Sequence, residues 1–503
     1  MADDQREQFR YILAAEDCSP EHFDEIHVFS KYEEKIIGSL IAHGPVLIRG
    51  GRGSGKSALL IKAHNQIKST HNNTIFSVYL SLRHLPLLRS QGKAYEEIFC
   101  RLLSQSIIQE IENQQLKCFD LFSVNSDVGE IQQALVKLSG VLRKRVVLFF
   151  DDAAHIGRET SLAEFFDIFR TLSSSTVACK AAIYPGVTKF GTRFDVYNDA
   201  TVIDITRDER MSDFGVFFED VINVRYPQIL ENASQILQKD NALAWFLGRS
   251  VAGNMRALVF ACNKLTEDNN KIGLDQLTQC LIYLASDYYW PLLEELSPKL
   301  GVYESLIEPS KELAETLFSY VTEKTENRKT TDIATSVLIH RDLVQEYAKL
   351  FEILEYTGFI SRREVSRAMK SGGRGSRYIL NLCNLLEKTS GARLSTELFN
   401  AWKQQNESAE IHHRNSSILK IQLPELPKEK EPAILNLGIE KLKKSKAYPY
   451  GLTDDKFSTL NESGFDTIGR LAEASDKQLN ALNGIGDKWI QRLRNVVGQA
   501  IWM

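Results

Sequence analysis

Val46-Leu-Ile-Arg-Gly-Gly-Arg-Gly-Ser-Gly-Lys-Ser57, running on into Ala58-Leu-Leu-Ile-Lys62, is the stretch from which the rest of the chain is read. Val46, Leu47 and Ile48 form a short apolar run of buried-strand type, and Leu59, Leu60 and Ala63 recur at helical spacing. Between them Gly50, Gly55, Lys56 and Ser57 fit G-x-x-x-x-G-K-[ST]. Glycines are needed because successive backbone N–H groups must turn inward around a phosphate, where Cβ atoms would block the approach. The following helix adds its free N–H groups and positive dipole end. Gly50, Gly51, Arg52, Gly53, Ser54, Gly55, Lys56, Ser57 and Ala58 are therefore expected to cradle a nucleoside phosphate. Lys56 would reach the β and γ phosphates, and the Ser57 hydroxyl would hold Mg2+.

The chain has 503 residues, too many for one ordinary core, so about two to four domains are expected. Apolar content of 43% and charged content of 25% are those of a soluble globular protein. A net charge of −4 excludes an overall basic protein, so a nucleic-acid surface would have to be a local patch. Seven cysteines are scattered without a C-x-x-C pair, which argues for reduced thiols rather than a zinc site or a disulfide framework. The start, Met1-Ala-Asp-Asp-Gln-Arg-Glu7, is unlike a secretory signal, and no apolar run reaches membrane-spanning length. A cytoplasmic location with no membrane contact is the expectation.

Upstream of the loop, Ser30-Lys-Tyr-Glu33 reads as a capping box, with Ile36, Ile37, Leu40 and Ile41 on one helical face. Val28 and Phe29 are candidates to neighbour a nucleotide base or to be plain core. Ile75 to Leu82 reads as a second strand and Tyr95 to Ile111 as a long helix. Arg143-Lys-Arg-Val-Val-Leu-Phe-Phe-Asp151-Asp152 is an apolar strand ending in two carboxylates, the Walker B arrangement. A parallel strand delivers its C-terminal end to the ligand crevice. Asp151 would act on Mg2+ directly or through a water, and Asp152 would orient or deprotonate an attacking water. Val177 to Ile183 and Ala200 to Ile205 supply further strands, with Tyr184, Thr188, Lys189 and Arg193 between them. Residues 231–265 are helical, and Gly253-Asn-Met-Arg256 opens an apolar helix suited to a lid carrying a cation to the γ phosphate.

From about residue 305, three helices (Ala314 to Val321, around Thr331 to Leu343, and Tyr347 to Tyr356) precede a hairpin turning at Ser371-Gly-Gly-Arg-Gly-Ser376. That order makes a winged-helix pattern. Arg362, Arg363, Arg367, Lys370, Arg374 and Arg377 crowd its wing and suit the phosphates of duplex DNA, a docked protein being the other reading. Residues 403–446, with Pro424, Pro427 and Pro432 among polar residues, read as a linker. Leu482-Asn-Gly-Ile-Gly486 between two short helices has a helix-hairpin-helix form. Gly484 and Gly486 would expose backbone N–H groups to a DNA phosphate, and Lys488, Arg492 and Arg494 would add charge.

Lys56, Asp151, Asp152 and Arg256 together resemble an AAA+ ATPase, most nearly the origin-recognition type, in which ATPase, helical lid and winged helix follow in this order. The resemblance implies ATP and Mg2+ as cofactors, a second-sensor role for Arg256, and a homo-oligomer with ATP at the subunit interface. Arg193 is then the arginine finger supplied in trans, with Arg207 and Arg210 as rivals. The family's second Walker B acid is normally Glu and here is Asp152. Its first-sensor Asn or Thr is replaced by Tyr184 or the later Thr188. Both departures suit a slow switch, and a double Asp is also found in signalling (STAND) ATPases. The expected organisation is an α/β P-loop core over 1–225, a lid over 226–300, a winged helix over 301–402, the linker, and an all-α module over 447–503. The expected function is an ATP-dependent, DNA-binding, oligomerising switch that controls a protein effector, in prokaryotic anti-phage defence. The alternatives are a signalling ATPase without DNA, a replication or transposition initiator, and a nucleotide binder without turnover.

Overall fold

The computed structural model describes residues 12–116, 122–154, 159–186, 190, 193–267, 271–326, 333–370, 372–404, 408–414, 416–427, 433–445 and 447–502. The first unit contains α1 (Lys31–Ile41), β1 (Val46–Arg49), α2 (Lys56–Thr70), β2 (Ile75–Ser81), α3 (Leu85–Arg89), α4 (Gly92–Asn113), α5 (Val128–Leu142), β3 (Arg145–Ala154), α6 (Glu159–Leu172), β4 (Val177–Ile183), α7 (Val196–Asp199) and β5 (Thr201–Asp204). The five strands form one parallel sheet in the order β2-β3-β4-β1-β5. Continuous apolar runs are what a sheet covered on both faces requires. Leu47, Val146, Leu148, Phe150, Cys179 and Ala181 pack under α4, α5 and α6, whereas Val46, Ile48, Val147, Phe149 and Ala178 pack under α1 and α2. Ser30 accepts from Glu33 N–H at 3.2 Å while Glu33 accepts from Ser30 N–H at 2.8 Å, the capping box expected at the start of α1.

Helix α8 (Phe214–Arg225), within the expected 1–225 core, buries Phe214, Phe218, Val221 and Ile222 against α9 (Ala242–Ser250) and α10 (Met255–Thr266) of the expected lid. Gly248 permits this approach, because a Cβ there would lie 2.4 Å from the Phe218 ring.

The third unit comprises α11 (Ile307–Glu326), β6 (Ser336–His340), α12 (Arg341–Glu346), α13 (Ala348–Thr357), β7 (Ile360–Ala368) and β8 (Arg374–Leu380). The expected helix around Thr331 to Leu343 is instead strand β6 followed by a short helix, with Thr331 itself outside the described residues. Val337, Leu338 and Ile339 are all buried, and β-branched residues flanking a Leu fit a pleated surface better than a helix. The hairpin is present, with Ser371 outside the described residues.

Much of the expected linker is packed. Strand β9 (Ala409–Ile411) pairs in parallel with β6, giving the sheet order β7-β8-β6-β9, and Ile418 and Ile421 are buried in the same core. Ile434, Leu435, Ile439 and Leu442 belong instead to the C-terminal core. Among the described residues, an unpaired run remains at 422–427, holding Pro424 and Pro427; Pro432 lies outside them. The C-terminal module contains α14 (Asp454–Glu462), α15 (Ile468–Glu473), α16 (Asp476–Asn480) and α17 (Asp487–Trp502). Its core takes in Leu85 and Leu88 around α3, and Arg89 pairs with Glu473, so the module is docked on the first unit. Among the described residues no helix is long and apolar enough to cross a membrane.

Candidate nucleotide site and the modules around it

The loop between β1 and α2 is built for close approach. Gly53 and Gly55 have φ of +77° and +92°, in the left-handed region that glycine enters freely. A Cβ on Gly53 would lie 2.7 Å from Arg256 Cβ, and one on Gly51 would lie 2.6 Å from the Glu355 carbonyl oxygen. Lid and winged unit both hold the loop. Met255 N–H donates to Gly53 O at 3.0 Å, Asn254 Nδ2 to Arg52 O at 2.6 Å, and Arg52 N–H to Tyr356 O at 2.9 Å.

Lys56 is buried, and its ammonium donates to Gly50 O at 2.8 Å and Gly51 O at 3.0 Å while lying 3.6 Å from the centroid of the Tyr184 ring. Burial pulls its pKa down to about 7, against the opposing pull of Asp152 and Asp151. Asp151, 1% exposed, accepts from the Tyr79 hydroxyl at 2.7 Å. Burial, then Asp152 and Glu16, push its carboxyl up to about 7. Asp152 sits at φ +51°, where strand register breaks, and accepts from the Tyr184 hydroxyl at 3.3 Å. Its other oxygen meets Arg83 Nε at 2.5 Å.

Arg83 and Glu16 carry no motif and were missed in the sequence. Arg83 follows the C-terminal end of β2, where the crevice rule for parallel sheets could have pointed to it. Glu16 comes from a strap before the sheet and pairs with Arg83 at 3.6 Å. Carboxylate oxygens of Glu16, Asp151 and Asp152 lie within 4.8 Å of one another. The Ser57 hydroxyl lies beside both Glu16 and Asp151 and helps hold their carboxyls down. An all-oxygen set of this kind fits Mg2+. Arg256, in the first turn of α10, faces the same cleft; its Nε is buried without a hydrogen-bond partner, and burial holds its pKa below the usual value. A buried arginine with one N–H left without a partner among the described residues, beside a phosphate loop, fits an anion. Val28 and Phe29 line this cleft and also pack against apolar cores, so both of their readings stand.

The other arginines divide. Arg193 is exposed just before α7 and edge strand β5, and Tyr197 beside it is 93% exposed. Thr188 and Lys189 fall outside the described residues. Arg207 is a brace within its own chain, donating to Ser54 O at 3.1 Å and Gly253 O at 2.9 Å and pairing with Glu33. Arg210 pairs with Asp208 at 2.6 Å and Glu364 at 2.7 Å. Both are engaged by carboxylates of their own chain, the Arg207 side chain being 8% exposed and Arg210 exposed.

Two wing residues do not reach the surface. The side chains of Arg363 and Arg377 are 1% and 8% exposed and meet Glu209 at 2.9 Å and 3.1 Å. Their apparent membership of a basic patch comes from sequence spacing; the ion pairs turn them toward the first unit. Arg362 is half-buried, whereas Arg367, Lys370 and Arg374 are exposed near the hairpin tip, Arg374 bonding Ser366 across it. In the C-terminal module Gly484 turns at φ +76°, Ile485 is buried, and Gly486 and Lys488 are exposed. Arg492 turns inward, donating to Tyr450 O at 2.8 Å and Gly451 O at 3.0 Å, and Arg494 pairs with Asp476 at 2.7 Å.

No protein-family model and no curated protein matches this sequence. Solved structures similar to it include the ORC1 protein of Aeropyrum pernix in complex with DNA, at 12% identity over 79% of this chain and 96% of that one, with a TM-score of 0.30. Cdc6p from Pyrobaculum aerophilum is 12% identical over 80% and 99%, with a TM-score of 0.33. Drosophila ORC bound to DNA is 11% identical over 76% and 98%, with a TM-score of 0.32. At so low an overlap the weight rests on the chain's own topology: a sheet ordered β2-β3-β4-β1-β5 with the phosphate loop leaving its fourth strand. A lid that sets its first-turn arginine against that loop, with a winged unit behind, completes one architecture, and the chain has an AAA+ fold.

Proposed function

We propose that the chain binds and hydrolyses ATP and uses the nucleotide to gate its hold on DNA. The observation that carries this reading is the convergence of Lys56, Ser57 and Arg256 on one cleft between sheet and lid, with the Asp151 carboxylate beside Ser57. Backbone N–H groups of Gly53 to Ala58 and the Lys56 ammonium would hold the β and γ phosphates. Ser57, Asp151 and Glu16 would hold Mg2+, which when bound neutralises phosphate charge and orients the γ phosphoryl group. Asp152 would orient the attacking water and accept its proton, and for that one of its oxygens must leave Arg83 or Tyr184. That requirement favours slow turnover. Arg256 would meet the γ phosphate from the lid, and Arg193 would do so from a neighbouring copy in a homo-oligomer. Exposure of Arg193 and Tyr197 beside a sheet edge supports such a face.

Duplex DNA would be held through its backbone by Arg362, Arg367, Lys370 and Arg374 on the wing, and by Gly484, Gly486 and Lys488 at the C-terminal hairpin. The switch would act in the cytoplasm on a protein effector. A role in anti-phage defence is part of this proposal and rests on the modular composition alone. The inward turn of Arg363, Arg377 and Arg492 favours a second reading, a signalling ATPase whose outer units bind protein instead of DNA.

The test is ATP turnover by wild type, Lys56→Ala and Asp152→Asn, each with and without duplex DNA. Lys56→Ala should lose ATP binding. Asp152→Asn should still bind ATP while turnover falls by about 10²-fold or more. Turnover raised by DNA supports the DNA-gated switch; turnover indifferent to DNA moves the assignment to the signalling reading. ATP bound by wild type without turnover would mark a nucleotide binder.

A further inference from the structure

Tyr184 touches Lys56, Asp152 and the winged unit at once. Its ring lies 3.6 Å from Lys56 Nζ, its hydroxyl donates to Asp152, and its ring packs on Tyr356 with centroids 4.9 Å apart. Tyr356 is itself bonded to the phosphate loop, since its carbonyl accepts the Arg52 N–H at 2.9 Å. A second fastening lies two residues after Tyr184: Lys349 Nζ donates to Gly186 O at 2.7 Å. A Cβ on Gly186 would lie 2.9 Å from Glu352 Oε2, so this turn is fitted closely against α13. Helix α13 passes through Gly358 directly into β7, the strand that carries Arg362 and Arg367.

Lys56 has three ammonium protons, and here they face Gly50 O, Gly51 O and the π face of Tyr184. A phosphate in the loop competes for the same protons, so the ammonium must shift and the ring loses its cation. Tyr184 is 6% exposed and lines the cleft itself, held between Lys56, Asp152 and Tyr356, so a change at the cleft reaches its ring directly. Movement passes to Tyr356, which is also bonded to the loop where the phosphate arrives.

We propose that Tyr184 is a positioning residue coupling occupancy of the phosphate loop to the seating of the winged unit, through Tyr356. The coupling rests on the nucleotide reading above, and the test separates the two. Hydrogen exchange of the full chain is followed with and without Mg2+ and a non-hydrolysable ATP analogue. In wild type, exchange should slow over residues 50–58 and change by roughly twofold or more over 348–365. Tyr356→Leu and Tyr184→Leu should keep the first response and lose the second, and Tyr184→Phe, which retains the ring, should restore it. A distal response in Tyr356→Leu equal to that of wild type overturns the coupling, as does a wild type responding only at 50–58. Loss of the distal response in Tyr184→Phe overturns the assignment to the ring. Should the leucine variants unfold, Lys349→Ala, on a partly exposed side chain, should halve the distal response, and no reduction overturns the proposal. Absence of any response at 50–58 in wild type overturns the nucleotide reading, and the coupling falls with it.

Discussion

Glu209 shows how a single residue reassigns its neighbours. Two arginines that read as wing cations end on its carboxylate, at 2.9 Å and 3.1 Å, where the first unit meets the hairpin. Burial alone would raise the Glu209 pKa, but Arg363, then Arg249 and Arg377, outweigh it and bring it down to about 2 from 4.5. A depressed carboxylate pKa contributes stability that is fully present above the unfolded value and is lost as pH falls through the folded one. The window is therefore pH 4.5 down to about 2, and the amount is about 3 kcal/mol at 1.36 kcal/mol per unit. Glu209→Gln should be destabilised near neutral pH by that order, and its denaturation midpoint should fall less steeply than wild type from pH 4.5 down to about 2. Parallel acid profiles for the two proteins would remove the ion pairs from the account. Arg83 follows the same logic at the cleft. Arg83→Met leaves the Asp152 carboxylate, whose side chain is 2% exposed, without its cation, at a cost on the order of 3 kcal/mol in unfolding titrations without nucleotide.

At the scale of elements, legibility depended on whether the signal was contiguous. The phosphate loop and the Asp151-Asp152 strand end were readable because strand, turn and helix follow one another within a few residues. Capping at Ser30 was readable for the same reason. Strand β6 was not, because Val337, Leu338 and Ile339 have no alternation that separates a buried strand from a buried helix. Glu16 and Arg83 were invisible because the fold brings them to Asp152 from separate stretches. Lys180 adds an element-level device of this hidden kind. It is fully buried on β4 and donates to Ser39 O at 3.2 Å, Ala42 O at 2.8 Å and Gly44 O at 2.6 Å, closing the end of α1 just ahead of β1. Close approach between helices was equally hidden. Gly248→Ala should cost about 1–3 kcal/mol by driving a methyl into the Phe218 ring, measurable as a lower thermal midpoint with α8 and α9 exchanging faster. An unchanged midpoint would mean that α8 shifts freely on α9.

At the scale of the molecule, four units are joined by packing that sequence order alone does not announce: α3 lies in the core of the C-terminal module, and the lid and winged unit share one apolar cluster. Their boundaries blurred in the sequence because a stretch rich in Lys, Glu and Pro can still lend a few isoleucines to two different cores. The same packing decides where DNA has purchase. Cations turned inward have already exchanged water for carboxylates and carbonyls, so they release no counterions when a duplex arrives. Under the proposed DNA binding, exposed Arg367, Lys370 and Arg374 would. Each cation–phosphate pairing removed should reduce the slope of log affinity against log salt by about 0.9, so replacing all three by Ala should lower it by roughly 2–3 with little change in stability. Arg363→Ala should do the reverse. It leaves Glu209 short of a cation, destabilises the chain, and leaves the salt slope of the folded protein where it was. A slope unchanged by the triple substitution, with DNA still bound, would move the DNA-binding surface from the wing to the hairpin at Gly484 to Lys488. No DNA binding by wild type at low salt would leave the wing to a protein partner.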